Sequence, residues 1–238
     1  GVRVVLLGEY VLNRFFKELI NIPKDMIIEQ SNFHINTLKK LSKSYNITII
    51  APIILYHDKN FYKTIAKISP NSINYYYQQF FINYDHWNEE KFFAKKVHEV
   101  KSPLIFNIDN VKFALMFGFE LHFDLMWRDV LTKKVDCVLL PTVTSFDSLP
   151  RWREIIKTRA FLNSCYILRA NRIGEFQDSE NSWKFYGDSL FCSPNGEIIN
   201  NLTDKEEILL EEIDLEYIKE CRKSWGFYNQ VKKATNHE

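Results

Sequence analysis

Short apolar runs rich in β-branched residues recur along this chain, and the first of them do not alternate polar with apolar. VRVVLLG at the start and NITIIAPIILY at 46–56 are apolar almost throughout. A strand with one wet face alternates; a strand covered on both faces need not. Between such runs stand segments with helical spacing. From Asp25 to Ser44, the residues Met26, Ile27, Ile28, Phe33, Ile35, Leu38 and Leu41 recur on one side of a helix, with Asp25 placed as its N-cap. The chain must therefore build sheets that helices cover.

The remaining segments extend this pattern. FYKTIAKI (61–68) reads as a strand, and the turn SPNS leads from it into INYYYQQFF (73–81). PLIFNI and VKFALMF flank a turn at Asp109–Asn110, and VDCVLLP, SCYILRANR and DSLFCSPNGEII add further strands. EEILLEEI reads as a strand by alternation. Helices are predicted over Leu121–Lys133, over Leu149–Asn163 with Ser148 and Pro150 near its start, and over LEYIKECRKSW. A polar, aromatic loop, NYDHWNEEKFFAKKVHEVKS, lies mid-chain. Hairpins mixed with strand–helix–strand units predict an α/β domain spanning 1–238, with mixed sheets and helices on the outer faces.

Composition narrows the function. A chain of 238 residues that is 46% hydrophobic can bury one large core. Its net charge of +1, with no block of like charges, argues against a nucleic-acid or membrane partner. No membrane span or signal peptide is read, so a cytoplasmic location is expected. The four cysteines (Cys137, Cys165, Cys192, Cys221) are far apart, without CxxC or HxxxH spacing. That predicts buried free thiols and no metal site. Aromatic residues, 15% of the chain, are read as core and interface.

The stretch FALMFGFELHFD carries the chemical question. An apolar strand ends abruptly at Gly118, and Glu120 follows two residues later. Sharp turns of this kind often display a nucleophile, yet here the tip has no side chain.

In order along the chain, VVLLGEYVLNRFF, SINYYYQQFF, FALMFGFELHF, VDCVLLPTVT, RWREIIKTRAFLNSCYILRANRIGE, YGDSLFCSPNGEII and EEIDLEYIKECRKSW resemble the motifs of the carbon–nitrogen hydrolase (nitrilase) superfamily. Each alone is weak; their order makes them specific. The resemblance implies a four-layer α-β-β-α sandwich that doubles across a dimer interface, no cofactor, and a Glu-Lys-Cys catalytic set. In such a set a thiolate attacks a nitrile or amide carbon, a carboxylate moves the protons, and an ammonium stabilises the oxyanion.

Carried over residue by residue, the base matches Glu9, with Gly8 where the family has proline. The lysine position falls on Gln78, or on Tyr77 if the alignment slips by one. The cysteine position falls on Gly118, two before Glu120, and the family arginine on His122. The supporting carboxylate falls on Glu89, with Glu90 as the near alternative. Lys63 and Lys67 are read as solvated residues of the preceding strand, with an inward reach by one of them as the alternative. Glycine at the turn is expected to relieve strain and to open a small void. Without a lysine, Glu9 and Glu89 are expected to raise each other's pKa, unless both are simply solvated.

Three functions follow as expectations. The first is a family member that has lost catalysis and persists by binding a small amide, carbamoyl or nitrile ligand. The second is an active hydrolase of such C–N bonds that uses Glu9, with His122 as its partner, to activate water directly. The third is a regulatory partner of an active paralogue. Tyr84, His86, Trp87 and Phe146 are candidates to line the pocket or to form an interface. The resemblance also implies a strand and helix before VVLLGE that the sequence does not show. The first strand would then present an edge for a partner chain, and a homodimer or higher homo-oligomer is expected, with the 84–98 loop and the C-terminal helix as contact surfaces.

Overall fold

The structure is a computed structural model and describes residues 1–97, 99–177 and 182–235. The first sheet has the order β1-β2-β3-β4: β1 (Val4–Leu6), β2 (Thr48–His57), β3 (Asn60–Ser69) and β4 (Ser72–Tyr77). Only β1–β2 is parallel; the tight turns joining β2 to β3 and β3 to β4 impose antiparallel pairing. Among the described residues β1 pairs with β2 alone and forms one edge. A two-stranded ribbon, β5 (Asn83–Tyr84) and β6 (Trp87–Asn88), lies in the aromatic loop.

The second sheet draws on β7 (Leu104–Ile108), β8 (Val111–Leu115), β9 (Cys137–Thr142) and β10 (Tyr166–Asn171). A separate hairpin follows, β11 (Ile173–Gln177) with β12 (Ser182–Tyr186), and then the strands β13 (Leu190–Cys192) and β14 (Ile198–Asn201) return to that sheet. Its order is β14-β13-β10-β9-β8-β7, and β8, β9 and β10 run parallel. The helices are α1 (Phe16–Leu19), α2 (Lys24–Tyr45), α3 (Asp124–Thr132), α4 (Leu149–Asn163), α5 (Leu215–Trp225) and α6 (Phe227–Thr235). The crossovers between the parallel strands are α3 and α4. Among the described residues, no helix is long and apolar enough to cross a membrane.

Alternation within β2 and β3 sorts the layers. Ile50 and Ile65 face the second sheet and share a core with Leu115, Val138 and Ile167, while Ile49, Ala51, Ala66 and Ile68 pack beneath Ile35 and Leu38 of α2. Met126, Trp127, Ile156 and Ala160 from α3 and α4 close the other side. The result is the α-β-β-α sandwich. A third cluster, built from Tyr10, Phe15, Phe16, Trp87, Phe93, Trp183 and Phe185, sits beside it.

Several segments differ from the sequence reading. Pro23, with φ of −52°, takes the N-cap position of α2; Asp25 lies in the first turn, where its charge still suits the helix dipole. The helix predicted over Leu121–Lys133 is broken at Phe123, whose backbone is extended between a 3₁₀ turn (Gly118–His122) and α3. Residues 206–213 form no strand. Leu209 and Ile213 touch the core, whereas Ile208 is 92% exposed and Leu210 71%. The alternation there is real, but the segment lacks a ladder partner among the described residues. The β11–β12 hairpin and α6 were not anticipated.

Candidate active site

Glu9 follows β1 directly, and its backbone N–H donates to the carbonyl of Thr142 at the end of β9 (3.2 Å). The two sheets are thus tied together at the carboxylate. The 3₁₀ turn that carries Gly118 starts after β8. Its Glu120 accepts hydrogen bonds from the backbone N–H of Phe117 (2.8 Å), the backbone N–H of Gln79 (2.6 Å) and the Tyr76 hydroxyl (2.8 Å). Glu120 is fully buried, and burial pushes its carboxyl up to about 7 although these donors pull it down. It is a clamp between the end of β4 and the turn, with no polar atom left to aim at a substrate.

Lys63 overturns one expectation. It is 5% exposed. On β3 it shares a face with Ile65, the face that looks into the sandwich. Its ammonium lies 2.5 Å from Glu9 Oε2 and 2.6 Å from Glu89 Oε1. Tyr10 donates its hydroxyl to the same Glu89 oxygen (2.7 Å), and its ring lies 4.7 Å below the ammonium. The resemblance placed the lysine position on Gln78, and Gln78 stands beside Lys63 across the ladder, its N–H on the Lys63 carbonyl (3.0 Å). Gln78 Nε2 donates to the Phe80 carbonyl (2.7 Å) and reaches Glu89 Oε2 at 3.3 Å. The charged group is therefore supplied from the neighbouring strand. The signal was available: in FYKTIAKI, strict alternation puts Lys63 on the face of Ile65.

Glu9 is 3% exposed and Glu89 fully buried, so neither is solvated. Burial pushes Glu9 up to about 7; Lys63 pulls it down and Glu89 adds to the rise. Burial works against the Lys63 charge, yet Glu89 and Glu9 outweigh it and hold the ammonium protonated. Glu90 is exposed and bonds Asn83 at the surface, so Glu89 alone joins the cluster.

Gly118 leaves neither strain nor a void. Its φ lies outside the positive region, so the turn does not require glycine on that account. A Cβ built there would lie 2.6 Å from Thr142 Cγ2, 3.1 Å from Thr142 Cβ and 3.3 Å from Glu9 Oε1. Thr142 is fully buried and fixed: its hydroxyl donates to Asn171 Oδ1 (2.7 Å) and accepts from Arg169 Nε (3.0 Å). The threonine methyl, not the hydroxyl, faces the glycine. The Gly118 N–H donates to Glu9 Oε1 at 3.4 Å.

His122 does not join Glu9. It is exposed, its Nδ1 lies 2.9 Å from the Phe119 carbonyl oxygen, and its ring meets Trp152 edge-on at 5.1 Å. All four cysteines are buried. Burial raises Cys137 and Cys165, and pushes Cys192 up to about 12. The aromatic candidates do converge: His86 lies 5.1 Å from Phe146, and Trp87 6.5 Å, with Tyr84 5.7 Å from His86. Trp183, which the sequence reading missed, completes the group, 4.8 Å from Phe146 and 5.3 Å from Trp87.

A buried carboxylate–lysine–carboxylate cluster, at the point where an α-β-β-α sandwich joins its sheets, defines a class of hydrolase scaffold. The sequence model of the family described as "Carbon-nitrogen hydrolase" matches residues 1–223, and the chain belongs to that family. It is 33% identical over 93 residues to the N-carbamoylputrescine amidase of Oryza sativa, a match covering 37% of this chain and 31% of that one. To the N-carbamoylputrescine amidase of Arabidopsis thaliana it is 26% identical over 210 residues, covering 80% of this chain and 68% of that one. The match to the rice protein thus spans about a third of its length. The crystal structure of a carbon–nitrogen hydrolase from Helicobacter pylori shares the fold, with a TM-score of 0.81, 20% identity, and coverage of 95% of this chain and 82% of that one.

Proposed function

We propose that this chain is a carbon–nitrogen hydrolase family protein without cysteine-dependent hydrolysis, one that persists by binding a small amide-, carbamoyl- or nitrile-like molecule. One observation carries the reading: the Thr142 methyl occupies the space that a side chain at position 118 would need. The nucleophile's position is closed as well as vacant of sulfur, and no cysteine is hydrogen-bonded to Glu9 or Lys63 among the described residues. Removing a catalytic nucleophile costs on the order of 10⁶ in rate. Lys63 takes the electrostatic part that the resemblance gave to position 78, which keeps the two carboxylates compatible with a folded core.

The test is a turnover assay across N-carbamoyl amino acids, ω-amides and nitriles. The proposal expects no product above the uncatalysed background. Turnover abolished by Glu9→Gln would overturn it.

A second reading has an observation of its own. Glu9, pushed up to about 7 beside an ammonium, has the proton affinity that a water-activating base needs at neutral pH. The same Glu9→Gln comparison separates the two.

A further inference from the structure

Helix α2 carries apolar residues on two faces. Ile27, Ile35 and Leu38 are buried against the first sheet. Met26, Phe33 and Leu41 belong to the same apolar repeat in the sequence, yet they are turned outward, at 59%, 65% and 40% exposure. Seven and eight residues separate them, about two turns each, so they form one stripe along the helix. A globular helix normally shows water a polar face, and an exposed apolar stripe marks a contact surface.

The charges beside the stripe say what fits it. Lys43 stands five full turns after Asp25, and Lys40 about three turns after Glu29, so these four exposed residues share one flank of the stripe. None of the four forms an ion pair among the described residues. Asp25 and Glu29 are like charges at i,i+4, as are Lys39 and Lys43, an arrangement that an isolated helix disfavours. The helix dipole accounts for Asp25 in the first turn and Lys43 in the last. Glu29 and Lys40 lie further in, where the dipole acts weakly. The flank is therefore acidic in its first half and basic in its second, with Phe33 between them.

We propose that α2 is the contact face of a two-fold homodimer, in which two copies of the helix pack antiparallel. Two-fold symmetry sets a surface against its own reversed image. With Met26 of one copy across from Leu41 of the other, Phe33 lies at the axis, because it stands midway between them. Antiparallel helices also bring the same flank of each copy together, so Asp25 and Glu29 of one copy meet Lys43 and Lys40 of the other at both ends. A parallel pair would set like charge against like. The helix has 22 residues and is about 33 Å long, so one helix pair gives a contact at the small end of specific interfaces, and the dimer dissociates in the micromolar range. α2 covers the face of the first sheet opposite to Lys63, so this contact leaves the Glu9–Lys63–Glu89 cluster uncovered and holds whether or not the chain binds a ligand.

Sedimentation equilibrium of the full chain between about 1 and 200 μM tests this. The expected result is a monomer–dimer equilibrium. Phe33→Glu puts a carboxylate from each copy at the axis and should weaken association on the order of 100-fold, with the far-UV circular dichroism unchanged because Phe33 is not part of the core. Glu29→Lys and Lys40→Glu, each alone, should weaken it about tenfold, and the two together should restore it to within about threefold of the unchanged chain. The reversal pair keeps the test decisive where Phe33→Glu fails to fold. A monomer at every concentration would assign the stripe to another occupant and overturn the inference. A dimer indifferent to the charge reversals and to Phe33→Glu would place the contact on a different face and overturn it equally.

Discussion

The ammonium of Lys63 lies 2.5 Å from the Glu9 carboxylate, and it arrives from β3 rather than from the strand that ends at Gln78. Three ionisable groups, none more than 5% exposed, are thereby held together with one cation between two acids. Removing one member of a buried ion cluster exposes the others to their full desolvation cost. Lys63→Met leaves two buried carboxyls unpaired and should destabilise the protein by about 3–5 kcal/mol in urea denaturation. Glu9→Gln, which imitates the protonated acid and leaves the Lys63–Glu89 pair intact, should cost well under half as much. Equal losses would contradict this ranking.

Gln78 is the neighbour of Lys63 across the ladder and already reaches Glu89 at 3.3 Å. Lys63→Gln combined with Gln78→Lys should therefore recover at least half of the stability that Lys63→Gln alone loses. A double variant no better than the single one would show that the ammonium cannot be supplied from β4.

Gly118→Cys places a Cβ 2.6 Å from Thr142 Cγ2. Because Thr142 is fully buried and bonded to Asn171 and Arg169, it cannot swing away freely, and the substitution should cost about 1–3 kcal/mol. Adding Thr142→Ser deletes the opposing methyl and should restore part of the loss. Thermal midpoints of the two variants decide it; a neutral Gly118→Cys would mean that the space is open.

Stability should fall as the pH rises from about 4.5 to about 7. Glu9 and Glu120 both sit near 7 in the folded protein against an ordinary value of 4.5. In that window the folded state keeps protons that the unfolded chain has released, so the unfolded state gains with each step in pH. The Lys63 shift is upward too, so its contribution is complete below its ordinary value of 10.5 and is lost only as the pH climbs through the folded value. Urea midpoints measured across this range should decline, and Glu120→Gln should flatten the decline. A midpoint that rises from pH 4.5 to 7 in the same series would contradict the assignment.

Most strands and helices, and an α/β domain with mixed sheets and outer helices, were legible in the sequence because periodicity and turn residues act locally; the four-layer sandwich followed from the resemblance. Leu149–Asn163 is a helix from its first predicted residue to its last. The resemblance singled out Glu9, Gly118 and Glu89, and the fold brings them together: Lys63 bridges the two carboxylates and the Gly118 N–H reaches Glu9. Lys63 was misread because a lysine in a strand is normally solvated; its burial depends on two carboxylates far away in sequence. Thr142 gave no signal, since nothing local tells a threonine which residue its methyl will touch. Residues 206–213 alternate like a strand, but alternation reports which side packs, not whether a neighbouring backbone is present to bond.

Ammonia release at stoichiometric concentrations of protein and substrate, with N-carbamoyl-β-alanine, glutaramate and butyronitrile, tests the proposed loss of chemistry most directly. The filled position at Gly118 predicts release indistinguishable from protein-free buffer over hours. Release that exceeds buffer and disappears in Glu9→Gln would contradict it.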